Sequence, residues 1–251
     1  MTDLSSNNNR RLIVRGIRLL DADPDLGADL SEEERAQVAR HLMLPTVVID
    51  PGPWDVRSLN HTPGADGGAY GFLVVEGVVA FNVEIAGRTC TRLILPQDLL
   101  LLDGAEDDVL PLRWGWSAIE QVTIALFDRR LMIVGQRWPA LMSAILKRGA
   151  LQVRHALLQQ AISQLPRVED RLLGLLWAVA DRQGVVRGDQ VWVALPVTHE
   201  TLAQLIGARR PTVSLGLKKL AEAGVVVADD GGWLIERDSL EVFRATVAGE
   251  V

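Results

Sequence analysis

The sequence predicts an α+β fold in three parts: an N-terminal antiparallel β-barrel, a long helix, and a C-terminal helical domain that ends in a β-hairpin. Short β-rich runs punctuated by Pro and Gly fill residues 46–126. From Arg137 onward, apolar residues recur at alternating spacings of three and four, the period of a helix. Residues 198–220 have the spacing of two helices joined by a tight turn. These patterns define the predicted domains.

Composition narrows the classes of protein that the chain can represent. Its 251 residues carry 26 Lys and Arg against 32 Asp and Glu, a formal net charge of −6, whereas proteins that coat nucleic acid electrostatically are strongly basic. Cys90, interpreted as a buried strand residue, is the single cysteine, so the chain alone builds no disulfide, zinc ribbon or cysteine-ligated cluster. No metal site or cofactor is identifiable. The polar N-terminus and the lack of a long apolar run predict a cytoplasmic protein without a membrane partner.

The N-terminal domain is predicted at residues 13–136, after a disordered start at residues 1–12. Ser31 and Glu34 form a capping box that opens a helix. The Glu76–Gly77 pair is interpreted as the turn of a hairpin. The strands are interpreted together as a cupin-like antiparallel barrel, with a small sandwich as the alternative. They are expected at Thr46–Ile49, Gly71–Val75, Val78–Val83, Thr91–Leu95 and Ile119–Leu126.

The long helix is predicted at residues 137–165, and its heptad-like seam predicts a homodimer. A seam of this length needs a partner, and in a symmetric protein the same helix of a second subunit is the simplest one. Packing on the chain's own barrel stays open as an alternative, because a helix with apolar flanks can do both. The seam residues are Leu141, Ala144, Arg148, Leu151, His155, Leu158, Ile162 and Leu165.

The C-terminal domain is predicted at residues 166–251, because Pro166 cannot sit in a helix interior without cost. A helix over residues 168–182 and a strand over residues 191–195 lead into the paired helices. After them, two short apolar runs around an Asp-Asp-Gly-Gly turn predict a β-hairpin. A hairpin directly behind the second helix is typical of a winged helix-turn-helix.

The helix-turn-helix interpretation rests on the size of particular side chains. Ala203 is small where two helices cross, Gly207 can adopt the positive φ of the turn, and Val213 is apolar where the second helix packs back. Thr198 is a candidate N-cap, and Pro211 lies in the first turn of the second helix. An ordinary helical hairpin is the alternative, but it does not require this coincidence.

The second helix carries the side chains predicted to contact DNA, because its N-terminal part enters the major groove in such motifs. Arg210 is expected to pair with guanine O6 and N7, and Leu215 with a thymine methyl. Lys218 and Lys219 are assigned to phosphates. Gly216, at a position where an apolar side chain usually packs, is interpreted as a packing defect. The predicted set is Thr198, His199, Arg209, Arg210, Thr212, Ser214, Leu215, Lys218 and Lys219.

The order of elements resembles the Crp/Fnr family of bacterial transcription regulators. The strongest part is Leu195-Pro-Val-Thr-His-Glu leading into Leu202-Ala-Gln-Leu-Ile-Gly-Ala-Arg-Arg-Pro-Thr-Val-Ser, with the hinge at Pro166 and Arg171 in place. The resemblance implies a homodimeric, sequence-specific regulator that reads a pseudopalindromic site on double-stranded DNA and senses a small molecule with its β-domain. RNA polymerase is left open as a further partner.

The effector is expected to differ from cyclic AMP bound in the usual mode. Family members that bind cyclic AMP hold its phosphate with a Gly-Glu pair and an Arg-Ser or Arg-Thr pair, whereas this chain has leucines at Leu99–Leu102 and Arg113-Trp114-Gly115-Trp116 there. A degenerate sensor domain that works without an effector is the alternative. Candidate pocket residues are Leu99, Leu100, Arg113, Arg148 and His155. Trp114, Trp116 and Trp138 are interpreted as packing residues.

Two other function classes fit the sequence less well. The chain shows no nucleophile elbow, metal-spaced histidine pair, phosphate loop or carboxylate dyad, so it is not expected to be an enzyme. A winged-helix module that binds protein and not DNA is the second alternative. It would be expected to lack the cations at Arg209, Arg210, Lys218 and Lys219, which are present.

Overall fold

A computed structural model describes residues 10–11, 16–102 and 110–249. The chain divides into two compact units, Met1–His155 and Ala156–Val251. Leu99–Leu102, where the sequence carries leucines, lie within the described residues, whereas Asp103 and Gly104 lie outside them. Among the helices in the described ranges, none is both long and apolar enough to cross a lipid bilayer.

The N-terminal unit combines antiparallel strands with helices that cover one sheet. Its strands are β1 (Arg10–Arg11), β2 (Gly16–Arg18), β3 (Met43–Ile49), β4 (Gly52–Trp54), β5 (Ala69–Glu76), β6 (Val79–Ile85), β7 (Arg88–Ile94), β8 (Leu99–Leu101), β9 (Arg113–Ala118) and β10 (Val122–Asp128). Its helices are α1 (Leu19–Ala22), α2 (Glu32–His41), α3 (Arg129–Gly135) and the first part of α4 (Pro139–Ser163), within which the division between the units falls.

The described strands of this unit form two sheets with a shared apolar core. One sheet has the order β1-β3-β10-β5-β8, with β2 also paired to β3, and the other has the order β4-β9-β6-β7. Phe72, Ile94 and Ile124 are fully buried in the core that contacts both sheets. The predicted antiparallel, barrel-like N-terminal domain is confirmed.

A second apolar cluster joins the first sheet to the helices. Leu73, Leu99 and Ala125 from the sheet pack with Leu141 and Ile145 of α4, all of them buried. The two clusters use alternate residues of the same strands, because successive side chains of a strand point to opposite faces. Helix α4 is therefore held against the sheet by its own apolar side chains.

The predicted hairpin at Glu76–Gly77 is wrong. Strand β5 pairs with β10 and β8, whereas β6 pairs with β7 and β9, so the turn carries the chain from one sheet to the other. Gly77 has φ +81°, and a Cβ there would lie 2.4 Å from the carbonyl oxygen of Gln121. Glycine is needed for this close approach, but strand pairing was decided by distant segments.

Other local predictions had mixed outcomes. The capping box at Ser31 is confirmed, since its Oγ accepts from Glu34 N at 3.3 Å and its N–H donates to the Glu34 carboxylate at 2.9 Å. In contrast, Arg10–Arg11, within the start predicted to be disordered, pair with Ile49 and Val48 of β3. The prediction that Cys90 is buried is also wrong, because its strand leaves it exposed.

The C-terminal unit places helices around an antiparallel sheet of order β11-β12-β14-β13. Its elements after α4 are α5 (Val168–Gln183), β11 (Val185–Arg187), β12 (Gln190–Ala194), α6 (His199–Ile206), α7 (Arg210–Glu222), β13 (Val226–Asp229), β14 (Gly232–Glu236) and α8 (Ser239–Ala248). The helix break predicted at Pro166 and the β-hairpin behind α7 are both observed. Helix α8, which was not predicted, packs Phe243 against Gly174 of α5.

Candidate nucleic-acid interface

Helices α6 and α7 are joined by the tight turn that the sequence predicted. The Thr198 hydroxyl caps α6 by accepting from Thr201 N at 3.1 Å. Gly207 adopts φ +64°, in the left-handed region that favours glycine. Ala203 and Val213 are buried, with 2% and 0% of their surface exposed. The steric roles assigned to these residues are confirmed.

The orientation of α7 is set partly by a residue whose interpretation was wrong. Gly216 is not a packing defect: a Cβ built there would lie 3.1 Å from Leu172 Cδ1 and 3.3 Å from Val168 Cγ1. Both contacts are tighter than ordinary van der Waals separation. The glycine lets α7 approach α5 closely, and Leu172, fully buried, fills the space that a side chain at Gly216 would occupy.

Arg171 of α5 holds the C-terminal end of α6 through hydrogen bonds. Its Nε donates to the Leu165 carbonyl at 2.5 Å and its Nη1 to the Ile206 carbonyl at 3.4 Å. The second carbonyl belongs to the last turn of α6, where backbone acceptors lack helical partners. Gln159 Nε2 adds a hydrogen bond to the Leu205 carbonyl at 3.0 Å. These bonds fix the end of α6 that leads into the turn.

The N-terminal half of α7 presents an exposed surface with two arginines. Arg209, the N-cap, and Arg210, the first helical residue, are exposed together with Thr212. Leu215 follows one turn later with 54% of its surface exposed. Within the described ranges, neither guanidinium has an ion-pair partner. Both charges are therefore available to an external anion or acceptor.

The remaining predicted DNA contacts already have partners within the chain. His199 Nδ1 and Ser214 Oγ lie 2.9 Å apart and link α6 to α7. Lys219 Nζ lies 2.7 Å from Glu169 Oε1, and this hydrogen bond lowers the pKa of that carboxyl. Lys218 lies 3.7 Å from Glu222. Exposed pairs of this kind are worth little, so the lysines can exchange partners.

The hairpin behind α7 carries negative charge at its tip. Asp229 and Asp230 are exposed beside Gly231, which has φ +69°. Arg187 on β11 compensates one of them, since its Nη1 lies 3.4 Å from Asp229, and the same guanidinium stacks 4.4 Å above the ring of Trp192. Among the four basic residues predicted to contact DNA, Arg209 and Arg210 at the start of α7 are thus the two without an ion-pair partner in the described ranges.

A family model described as the Crp-like helix-turn-helix domain matches residues 167–243. These residues form a Crp-like helix-turn-helix domain. The match includes α5, the paired helices and the hairpin, so the predicted winged helix-turn-helix is confirmed. No curated protein matches the chain.

Solved structures extend the similarity beyond the Crp-like domain. FixK2 from Bradyrhizobium japonicum is 20% identical over 80% of this chain and 98% of its own, with a TM-score of 0.62. A CooA mutant from Carboxydothermus hydrogenoformans is 16% identical over 94% and 98%, with a TM-score of 0.61. A CRP/FNR family regulator from Thermus thermophilus is 20% identical over 79% and 97%, with a TM-score of 0.54. The chain has the fold of Crp/Fnr regulators, and the predicted resemblance is confirmed.

Several of the predicted seam residues of α4 pack against the N-terminal unit of their own chain. In the first unit, Leu141 is fully buried against the sheet, and Arg148 pairs with Asp23 at 2.7 Å and with Asp25 at 3.3 Å. His155 Nδ1 lies 3.7 Å from Asp98 Oδ1. The apolar face of the sheet needs cover, so the alternative of packing on the chain's own barrel describes this part of the seam.

Burial also affects the ion pair that holds α4 to the start of the first unit. Asp23 is fully buried, and burial raises the pKa of its carboxyl although the adjacent Arg148 guanidinium opposes the rise. Arg148 therefore compensates a buried charge within the chain. This role is structural, and it occupies a residue that was a candidate for both the seam and the effector pocket.

The opposite face of α4 is apolar and exposed. Leu146, Val153 and Leu157 expose 64%, 64% and 60% of their surfaces. Their spacings of seven and four place them on one side of a helix. Later seam residues, in the second unit, differ among themselves: Leu158 is 47% exposed while Ile162 is 7% exposed. Leu151, Ala144 and Leu165 are half-buried.

The candidate effector residues are not brought together. Leu99 is buried in the cluster beneath α4, whereas Leu100 points to the opposite face of β8 and packs on the core between the sheets. Arg113 is exposed on β9, where it lies opposite Glu84. Arg148 and His155 contact carboxylates of their own unit.

Proposed function

We propose that this protein is a homodimeric, sequence-specific DNA-binding regulator of transcription. The observation that carries the proposal is the exposed start of α7 in a Crp-like domain. Arg209 and Arg210 have no ion-pair partner among the described residues, and the Thr212 hydroxyl is exposed beside them. The N-terminal part of a recognition helix enters the major groove. Charge in that position serves base and phosphate contacts.

The distribution of charge favours site-specific over bulk binding. The chain carries a net charge of −6, and the hairpin tip presents Asp229 and Asp230 to solvent. Carboxylates near phosphates repel them, so the attraction must come from a small set of cations. Few phosphate contacts give a shallow dependence of affinity on salt. In this proposal Arg210 reads guanine, Leu215 meets a thymine methyl, and Lys218 and Lys219 bind phosphates.

The exposed apolar face of α4 supports the homodimer. Leu146, Val153 and Leu157 recur along one side of a 25-residue helix, and exposed large apolar residues in such an array favour association with a like helix. In a two-fold symmetric dimer, two recognition helices would read a pseudopalindrome with half-sites about 34 Å apart. The interface thus uses the face opposite to Leu141 and Arg148.

A sensory role for the N-terminal unit completes the proposal. The fold supports a small-molecule effector, and the absence of the Gly-Glu and Arg-Ser pairs from the sequence favours an effector other than cyclic AMP in the usual mode. Calorimetry with cyclic AMP is expected to show no binding; tight binding would overturn this part. An effector-independent regulator remains the alternative, and RNA polymerase is a candidate partner once the protein is on DNA.

Selection of bound sequences from a random DNA pool tests the DNA-binding function directly. The purified full chain, without added effector, is expected to enrich a pseudopalindrome. Arg210→Ala should then weaken binding to the selected site by about 1–3 kcal/mol and relax the preference at one base pair. Arg244→Ala, which removes an exposed arginine of α8, is the matched control and should leave affinity unchanged.

The outcomes separate the alternatives. No enriched sequence, together with no binding of mixed DNA at low salt, would favour the protein-interaction module. A uniform loss of affinity over all sequences in Arg210→Ala would assign that guanidinium to phosphate. Enrichment of a single half-site without its inverted repeat would contradict the homodimer.

A further inference from the structure

One face of the sheet β4-β9-β6-β7 carries a row of aromatic side chains that ends in an arginine. Trp54 lies opposite Trp116, Trp116 opposite Phe81, and Phe81 opposite Arg92. Residues directly opposite one another in antiparallel strands share a face, with Cβ atoms about 5 Å apart. The row therefore crosses all the strands of this sheet, and its two ends lie on β4 and β7.

The rings of this row contact one another and rest on the core. Trp116 lies 4.4 Å from Phe81 and 5.8 Å from Trp54, between ring centroids. Beneath them, Phe72 is fully buried and lies 5.7 Å from Trp116. Trp114, two residues along β9 on the same face, stacks on Phe81 at 5.4 Å with an interplanar angle of 11°.

These rings are only partly removed from water. Trp114 exposes 52% of its surface, while Trp54, Phe81 and Trp116 are half-buried. Trp114 thus packs on Phe81 with one part of its ring and leaves about half of its surface in water. Exposed aromatic surface in contact with an aromatic cluster is unfavourable in water and is suited to stacking with a flat ligand.

Polar groups stand at both ends of the row. At the β4 end, the indole N–H of Trp54 is buried and has no hydrogen-bond partner among the described residues. At the β7 end, Arg92 lies opposite Phe81 in the strand pairing, and its guanidinium donates to Gln152 Oε1 of α4. An arginine at the end of a row of aromatic residues matches a planar aromatic anion, since a guanidinium pairs with carboxylates in a bidentate geometry and stacks on aromatic planes.

We propose that this aromatic row is the effector site and that it takes a planar aromatic carboxylate. The ring system of the ligand would stack on Phe81 and Trp114, and its carboxylate would pair with Arg92. This inference rests on the proposed sensory role of the N-terminal unit and names the ligand class of that role. It replaces the candidate pocket that the structure did not assemble.

The same arginine offers a route from the ligand to α4. Gln152, which accepts from Arg92, donates through Nε2 to Asp98 Oδ1 at 2.7 Å, and Asp98 is 2% exposed. A carboxylate that draws the guanidinium toward the rings competes with its bond to Gln152. Occupancy of the row would thus alter the polar contacts that hold α4 to β7 and to the turn at Asp98.

Calorimetry on the full chain tests the proposal with 1-naphthoate as the probe. Cyclohexanecarboxylate keeps the charge without the aromatic ring, and 1-naphthalenemethanol keeps the ring without the charge. We expect 1-naphthoate to bind and both analogues to bind at least about tenfold more weakly, because stacking and ion pairing each supply part of the affinity. Trp114→Leu and Arg92→Gln should each weaken 1-naphthoate at least about tenfold.

Two controls keep the result specific to the row. Trp192→Phe changes a tryptophan of the other unit and should leave binding of 1-naphthoate unchanged, and Arg92→Lys should retain part of the affinity lost in Arg92→Gln. Circular dichroism confirms that each variant is folded. Absence of binding at millimolar 1-naphthoate, equal binding of the saturated acid, or unchanged affinity in Trp114→Leu would each overturn the proposal.

Two further outcomes show whether the aromatic row is a subunit contact and whether the effector site or the regulator function is wrong. If Trp114→Leu shifts the monomer–dimer equilibrium and leaves 1-naphthoate binding unaltered, the row is a contact between subunits and the effector proposal is wrong. DNA affinity is measured on the same samples. If the parent protein does not bind DNA, the regulator function is contradicted. If it binds DNA but 1-naphthoate neither binds nor changes the DNA affinity, the effector site alone is contradicted.

Discussion

The contact between α5 and α7 at Gly216 can be tested by filling and then relieving it. In Gly216→Ala, replacing a helical glycine stabilises the helix by about 1 kcal/mol. The new Cβ, however, would meet Leu172 and Val168 at 3.1 and 3.3 Å, so each neighbour must move by a few tenths of an ångström. These effects oppose each other, and we expect a net change in the free energy of unfolding within about 1 kcal/mol.

With a larger side chain at residue 216, the steric cost exceeds the gain in helix propensity. Gly216→Leu adds three further carbons toward the fully buried Leu172, and overpacking of this kind costs about 1–3 kcal/mol. Leu172→Ala alone should cost about 2–5 kcal/mol, because it creates a cavity. The double variant restores part of the lost volume. It should therefore be more stable than the sum of the single changes predicts, with a coupling of about 0.5–3 kcal/mol.

Hydrogen exchange in increasing urea is the suitable assay, because amides of α5 and α7 report the opening of the C-terminal unit separately from the N-terminal unit. The four proteins form a double-mutant cycle. If Gly216→Leu has the parent's stability, or if the double variant is merely additive, then Leu172 does not fill the space beside Gly216 and the reasoning fails. Gly207→Asn, which keeps a residue tolerant of positive φ, controls for changes elsewhere in the domain.

Three further predictions follow from single contacts. Thr198→Ala should destabilise α6 by about 0.5–2 kcal/mol in the same exchange assay, whereas Thr198→Ser should not. Equal stabilities of the two variants would show that the Thr198 hydroxyl does not cap α6. Burial raises the pKa of the Asp23 carboxyl above 3.8 in the folded protein. The folded protein therefore binds this proton more tightly than the unfolded chain does. As a result, the contribution of Asp23 to the free energy of unfolding falls as the pH rises from 3.8 through the pKa of the folded state. Asp23→Asn should remove that slope in urea titrations, and an unchanged slope would assign it to another group. Val153→Glu or Leu157→Glu should yield monomers in sedimentation, whereas Ile133→Glu, which changes an exposed residue of α3, should not; dimers in all three variants would place the interface elsewhere.

The helix-turn-helix was predictable because each of its signals acts over a few residues. Thr198 caps the backbone three positions ahead, Gly207 adopts a φ that other residues resist, and Pro211 occupies a first turn that needs no N–H. The basic start of α7 follows from the same short stretch. Such effects do not depend on distant parts of the chain, so the motif and the exposed arginines agree with the sequence-based prediction.

The errors concern contacts between distant segments. Helix α4 has apolar residues on two faces, Leu141 and Ile145 on one and Leu146, Val153 and Leu157 on the other. A periodicity argument finds apolar faces but does not tell which one a sheet will cover. The candidate effector residues do not share one face for a related reason, since Leu99 and Leu100 are adjacent in sequence yet point to opposite faces of β8.

The sequence by itself determined that this chain carries a winged helix-turn-helix behind an antiparallel β-domain, because caps, turn residues and alternating apolar runs act locally. Only the tertiary structure decided three other features. Leu172 fills the space beside Gly216, the chain passes from one sheet to the other at Gly77, and Trp114 stacks on Phe81 while half of its surface stays exposed. Those outcomes depend on packing volume and strand pairing between residues far apart in the chain. Local sterics specify elements, and the competition for buried surface specifies which of their faces remain free to bind.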